Sequence, residues 1–304
     1  MGYRCVVLVK QVPDTKRITG KAMNDDGTVN RAALPAIFNP EDLNALELAL
    51  QVRERYGGHV TVITMGPPAA CEVLRDALYR GADRTILVTD RRGAGSDTLA
   101  TSHILSCAVR HQGEFDLVIC GRQAIDGDTA QVGPQCAEKL GIPQITYVEA
   151  GVELKDRTIR ARRNLGHGWE VVRTRLPVLL TVTAEANTPR PPAAKRMMKY
   201  HRARSPVEVQ REVEQDMPQA EEDAKRTEVE KRCEELRRRG LLLEQWDLDD
   251  IGADLAWCGL KGSPTKVHRI QTIVLTGRGY ERVEPTDEGI AGMIHALIED
   301  HTIG

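Results

Sequence analysis

No apolar run in this chain is long enough to cross a bilayer. The longest, VVLV at 6–9 and PVLLTV at 177–182, fall far short of the ~20 residues a spanning helix needs. The opening MGYRCVVLVKQVPD is a charged, strand-like segment and not a secretory signal. Gly2 follows Met1, but Val6 stands where N-myristoylation requires Ser or Thr. An excess of one charge is also missing. The 42 Lys and Arg against 44 Asp and Glu give a net charge of −2, so non-specific nucleic-acid binding has no electrostatic support. Cysteine pairs are missing too. Cys5, Cys71, Cys107, Cys120, Cys136, Cys233 and Cys258 are scattered, with no CxxC, no HExxH and no Cys/His cluster. This excludes a disulfide framework or a zinc site and reads as reduced thiols in a cytoplasmic protein. The two usual phosphate signatures, GxGxxG and GxxxxGK[ST], do not occur, and there is no internal repeat or low-complexity run.

What is present is an alternation. With 304 residues, 41% hydrophobic and 28% charged, the chain can build one large domain with appendages. CVVLVKQV (5–12) reads as a strand buried on both faces. Asp26-Gly27 is a hairpin-turn signal. NPEDLNALELALQVRERYGG reads as a helix with Asn39 as N-cap, Pro40 at its first position, Glu41 and Asp42 complementing the dipole, and Gly57-Gly58 as a stop. Strands are expected at 59–66, 85–90 and 115–121, and helices at 67–82, 96–113 (capped by Ser96 or Asp97) and 128–142. Repeated strand–helix units of this length imply right-handed crossovers and a doubly wound, mainly parallel sheet. Ligands of such sheets sit beyond the carboxyl ends of the strands, at the switch point. The loops Lys10–Asp14, Met65–Pro68 and Gly121–Asp128 qualify.

From about 144 the texture changes. QITYVEAGVEL, RTIRARRN and WEVVRTRLPVLLTVTAEA predict antiparallel strands that extend the sheet. A basic, Pro-rich connector occupies 187–206 and a charged segment runs from about 207 to 240. Within it, AEEDAKRTEVEKRCEELRRRG is helical with a thin apolar seam at Ala220, Ala224, Val229, Cys233 and Leu236, which predicts light packing. The tail closes with HRIQTIVLTGRG and a capped helix in PTDEGIAGMIHALIED.

GRQAIDGDTAQVGP (121–134) lies where a nucleotide fold places its phosphate loop, yet it holds two aspartates and only one cation, Arg122. A loop rich in small residues is often no more than a tight connection. A helix N-terminus, however, offers unpaired N–H groups and about half a positive charge, which hold a phosphate without lysine. Gly127 allows close approach, Thr129 and Gln131 add neutral hydrogen bonds, and Asp126 or Asp128 serves a ribose or the cap. Spacing alone leaves both readings open.

The order of further motifs brings in a resemblance. VLVKQVPDT, NPEDLNALELAL, VTVITMGPPAACEVLRDALYRGADRTILVTD, DLVICGRQAIDGDTAQVGPQCAEKLGIPQIT, LPVLLTV, PRPPAAKRMMK and WDLDDIGADL together resemble the β subunit of electron-transfer flavoproteins, over roughly 1–200 and 246–304. The resemblance implies an adenine-nucleotide alpha-hydrolase-like α/β fold with an antiparallel extension and a C-terminal arm. It implies a nucleotide-binding domain at 1–200, a charged helical insertion at 201–245, and an arm and helix at 246–304 docking on an α subunit. It also implies an adenine nucleotide in the β subunit. DGDTAQVGP and SDTLATS are similar to the electron-bifurcating subgroup, which favours FAD, reduced by NADH, over structural AMP. By position, the nucleotide contacts fall on Leu8, Val9 and Lys10, on Asn39 and Pro40, on Met65 and Gly66, on Gly121 and Gln123, and on Asp126, Gly127, Asp128, Thr129, Ala130, Gln131, Val132 and Gly133. Thr98 and Thr101, three apart on one helix face, are candidates to reach the flavin ring.

The implied partners are the α subunit, an acyl-CoA or other flavin dehydrogenase, and ferredoxin or flavodoxin as low-potential acceptor. In the connector, Ala194 stands where the family has a larger docking residue, which leaves Met197 and Met198 to supply the contact. Two other functions compete. One is a simple electron carrier with structural AMP, and the other is an ATP-binding stress or signalling protein on the same fold. No catalytic side chain is assigned, because the flavin would carry the chemistry.

Overall fold

The first apolar run forms β1 (Tyr3–Val9), and its alternation explains the whole architecture. Cys5, Val7 and Val9 pack into one buried cluster while Val6 and Leu8 pack into another on the opposite face. A strand buried on both sides lies inside a sheet with helices on each face. The computed structural model describes residues 2–14, 34–265 and 282–299. After β1, β2 (Gln11–Pro13) and β3 (Ala36–Phe38) pair as a small antiparallel ribbon. Then follow α1 (Pro40–Tyr56), β4 (Gly58–Met65), α2 (Cys71–Arg80), β5 (Arg84–Val88), α3 (Thr98–His111), β6 (Leu117–Gly121) and α4 (Val132–Leu140). The second half adds β7 (Gln144–Lys155), β8 (Thr158–Asn164), β9 (Trp169–Arg175), β10 (Val178–Val182), α5 (Ala194–Tyr200), α6 (Pro206–Asp216), α7 (Glu222–Arg238), β11 (Glu244–Trp246), α8 (Gly259–Gly262) and α9 (Asp287–Glu299).

Nine strands join in the order β11-β5-β4-β1-β6-β10-β7-β8-β9. Pairing is parallel from β11 through β7 and antiparallel in β7-β8-β9, so the mainly parallel sheet with an antiparallel extension is as expected. VLLTV, however, expected among the antiparallel strands, is β10, inserted between β6 and β7 and parallel to both because it is buried on both faces. α1 and α2 cover one face, and α3, α4 and the segment after β11 cover the other. The chain runs outward from β1 to β4 and β5, then returns to β6 on the other side of β1. The carboxyl ends of β1 and β6 are therefore the switch point.

Local signals explain most boundaries. Pro40 opens α1, Glu41 and Asp42 lie in its first turn, and Gly57 at φ 77° ends it. Asp97, not Ser96, caps α3 by accepting from the Ala100 N–H at 2.9 Å. Four local expectations need correction. Asn39 makes no side-chain cap; its side chain is used elsewhere, as described below. The helix expected from 128 begins only at Val132, because Asp128 (φ 49°) and Ala130 (φ 52°) are left-handed and break the helical path. Neither Asp126 nor Asp128 caps it. The charged segment is two helices, not one. Val209 and Val213 of α6 and Cys233 of α7 form a small core with Met217, Val229, Leu236 and Leu242. α6 is anchored through Arg75, which donates to both Glu208 oxygens at 3.0 and 3.1 Å. Asp26-Gly27 and HRIQTIVLTGRG lie outside the described residues.

Candidate functional site

A cleft of about 790 Å³ opens over the carboxyl ends of β1, β4, β5 and β6. Leu8, Val9 and Lys10 end β1; Met65 and Gly66 end β4; Thr98 and Thr101 project from α3. Gly121, Gln123 and Asp126 through Gly133 form the remaining wall, so all of these sequence-predicted residues meet in one place. Asn39 and Pro40 do not line the cleft. Asn39 is fully buried behind it and acts on the wall.

The first turn of α1 is the template on which that wall is built. Asn39 donates through Nδ2 to the Gln123 carbonyl at 2.9 Å and accepts from the Ile125 N–H at 3.1 Å. Glu41 accepts from the Gln123 N–H at 3.1 Å and pairs with Arg122 at 3.1 Å. Asp42 accepts from the Lys10 N–H at 2.8 Å and the Gly121 N–H at 2.9 Å, tying the ends of β1 and β6 together. Gly121 must lack a side chain here, since a Cβ would stand 2.5 Å from Asp42 Oδ1 and 2.8 Å from the Glu41 carbonyl carbon. Burial pushes the Asp42 carboxyl up to about 7, against the lowering effect of these N–H donors. Burial also raises Glu41, opposed by Gln123 and Arg122.

Beyond Ile125 the wall is held by side chains. Lys10 pairs with Asp126, Gln123 donates to Asp128 at 2.9 Å, and Thr98 donates to Gln131 at 2.8 Å. Lys10 and Arg122 are thus both paired with carboxylates. Among the described residues, the N–H groups of Thr129 to Gly133 have no hydrogen-bond acceptor, as expected for a loop entering α4. Together with the positive end of α4 they suit an anion better than the side-chain charges do. Gly133 lies tight against Thr181 and Cys120, whereas a Cβ at Gly127 would meet nothing within 4 Å. Close packing therefore constrains Gly121 and Gly133, not Gly127.

The opposite wall went unrecognised in the sequence. Val88 at the end of β5 and most of the loop after it, Thr89 to Arg91 and Gly93 to Ser96, line the cleft with Leu248 from beyond β11. The same loop grips the segment after β11. Arg92 pairs with Asp249 at 2.7 Å, Ser96 Oγ accepts from Gly259, Leu260 donates to Ala94, and Thr265 donates to Asp97. The rule that ligands sit beyond strand ends applied to β5 as much as to β4, so RRGAGSD carried a usable signal. Asp42 carried none, since an acid in a first turn already has a reason to be there. No helix among the described residues is long and apolar enough to cross a membrane, and no group of three or more His, Cys, Asp or Glu residues among them is placed to hold a metal ion.

Comparison with known proteins agrees with this geometry. The electron transfer flavoprotein domain matches residues 26–209. An electron transfer flavoprotein subunit beta of Clostridium acetobutylicum is 42% identical over 298 residues, covering 98% of this chain and 99% of the relative. Protein FixA of Bradyrhizobium diazoefficiens is 38% identical, covering 96% and 90%. A caffeyl-CoA reductase-Etf complex subunit of Acetobacterium woodii is 37% identical, covering 99% and 100%. With the domain matched over more than half its length and beta subunits aligned along nearly all of it, the chain belongs to the electron transfer flavoprotein family, as an electron-transfer subunit of the beta type.

Proposed function

We propose that the cleft holds FAD and that the chain, paired with an α subunit, takes part in NADH-dependent electron bifurcation. The observation that carries this reading is the size and course of the cleft. At about 790 Å³ it lies in the upper part of the ~300–1,000 Å³ range of ligand sites, which leaves room for a dinucleotide. It continues from the 121–133 wall past Thr98 and Thr101 to Val88, Ile104, Leu105 and Leu248.

The chain's own residues divide the work. The N–H groups of Thr129 to Gly133 would hold the pyrophosphate, and the Thr101 hydroxyl would face the ring system beside Thr98, whose hydroxyl donates to Gln131 and keeps only its acceptor side for the ring. Val88, Ile104, Leu105 and Leu248 exclude water and strengthen the polar contacts. A flavin bound there would supply the redox chemistry, hydride uptake from NADH and electron release to separate acceptors, while these residues would hold and shield it. Among the relatives are subunits named for caffeyl-CoA and acryloyl-CoA reductases, which supports a flavin dehydrogenase as one partner. Met198 on α5, 77% exposed, and the neighbouring Met197 supply an apolar contact for it. Ferredoxin or flavodoxin is the low-potential acceptor in this reading.

Mass spectrometry of nucleotide released from the purified two-subunit complex tests the proposal. About two FAD per complex, with bleaching by NADH, are expected. One FAD plus AMP would leave a simple electron carrier.

A further inference from the structure

We propose that Asp42 is a positioning residue for the nucleotide cleft: its carboxylate clasps the ends of β1 and β6, and a proton on it opens the clasp and weakens nucleotide binding. The inference rests on the cleft being the nucleotide site.

Two N–H donors face this carboxylate, Lys10 at 2.8 Å and Gly121 at 2.9 Å, and the Asn39 side chain donates as well. The two N–H groups cannot receive a proton from a neutral carboxyl, and Asn39 Oδ1 is already taken by the Ile125 N–H. Protonation therefore replaces charge-assisted acceptors with weaker ones and adds a buried O–H without an acceptor in the clasp, and an unmade buried hydrogen bond is costly. Both clasped strand ends line the cleft, Lys10 directly and Gly121 as the start of the 121–133 wall. The clasp is also under opposing pressures. Burial favours the neutral form, and the Glu41 carboxylate adds to that, while the three donors favour the charged form. The result is a carboxyl raised to about 7, which changes state near neutrality.

The other charged groups around it are accounted for. On α1, Glu41 is engaged by Arg122 and Gln123. On β1, the Lys10 ammonium is turned to Asp126. On β6, Cys120 is raised far above neutrality by burial, and Glu185, after β10, acts on Glu41.

The test is FAD binding to the whole chain, by calorimetry from pH 6 to 8. The pyrophosphate of FAD keeps its charge across this window, unlike the terminal phosphate of AMP, whose second ionisation lies near 6. If only the clasped form binds, affinity at pH 6 is about tenfold weaker than at pH 8. Asp42→Asn, which presents a donor where the clasp needs an acceptor, is expected to bind weakly at both pH values, with no slope. Amide exchange of Gly121 and Lys10 in the unsubstituted chain gives a second readout that needs no variant. Their protection is expected to fall below pH 7 beyond the intrinsic change in exchange rate. A wild-type pH slope retained in Asp42→Asn, or unchanged protection of both amides, would overturn the proposal alone. Absence of FAD and AMP binding at pH 8 would overturn it together with the reading of the cleft.

Discussion

Lys10 Nζ lies 2.8 and 2.7 Å from the two carboxylate oxygens of Asp126, so the one lysine that lines the cleft among the described residues is bound to the 121–133 wall. Both partners are partly exposed, and such a pair contributes about 0.2–1 kcal/mol. Its larger effect is electrostatic. Asp126→Ala turns the Lys10 charge toward the cleft while leaving the Gly121 to Gln123 clasp in place. The variant is expected to bind phosphate-bearing nucleotides several-fold more tightly at 20 mM salt and to lose that gain at 0.5 M, where screening is strong. Titrations at the two ionic strengths decide it; equal ratios to wild type at both would rule it out.

Gly121 and Gly127 are expected to separate folding from binding. Gly121→Ala drives a Cβ into Asp42 and the α1 backbone, where overpacking costs about 1–3 kcal/mol. Thermal melts should show a fall of several degrees. Gly127→Ala meets open space, and its stability should stay within about 0.5 kcal/mol of wild type. If a pyrophosphate packs against this turn, FAD affinity of Gly127→Ala falls severalfold with no change in the melt.

Arg75→Met should loosen the α6–α7 pair. Arg75 is buried, donates to Glu208, Glu72 and the Ala203 carbonyl, and its removal leaves Glu208 without a cation, with only the Ser205 donors. Breaking a buried pair from one side costs about 3–5 kcal/mol. Burial raises the Glu208 carboxyl, but Arg75 and the Ser205 N–H outweigh it and the net shift is downward. A depressed carboxyl contributes stability above its unfolded value near 4.5, and that contribution is lost as pH falls through the folded value. The wild type should therefore lose stability on acidification more steeply than Arg75→Met, and limited proteolysis should cut the variant first near 206–238.

The seven thiols should be silent in the native protein. All are buried and free of disulfides, and burial pushes Cys5, Cys71 and Cys136 up to about 12. The thiolate is the reactive form, so alkylation at pH 7.5 should be slow until denaturant is added. Cys120 lines the cleft, so FAD should slow its modification further. Rapid labelling of several cysteines without denaturant would contradict the packing described.

The parallel sheet was legible because burial on both faces leaves continuous apolar runs such as VVLV and LVIC, which periodicity and length together identify. The antiparallel extension was legible from alternation in β8 and β9. The start of α4 was not, because left-handed backbone at Asp128 and Ala130 has no marker when neither residue is glycine. Asn39 misled for another reason. Its residue type suits a cap, but the tertiary partner at 123–125 outcompetes the local one. The cleft's near wall was found through loop composition and family resemblance. The clasp by Asp42 depends on strands that meet only after folding, and no local pattern announces it.

The far wall has a consequence for how the protein is made. β5 ends at Val88, yet the strand beside it, β11, and the cleft residue Leu248 come some 160 residues later in the chain. Contacts this distant in sequence form late, since long loops must close before they are rewarded. During synthesis the near wall is complete once β6 and α4 have emerged, while the far wall waits for residues beyond 244. The two-walled cleft is therefore a property of the finished polypeptide, and a nascent chain paused within α7 carries half of it.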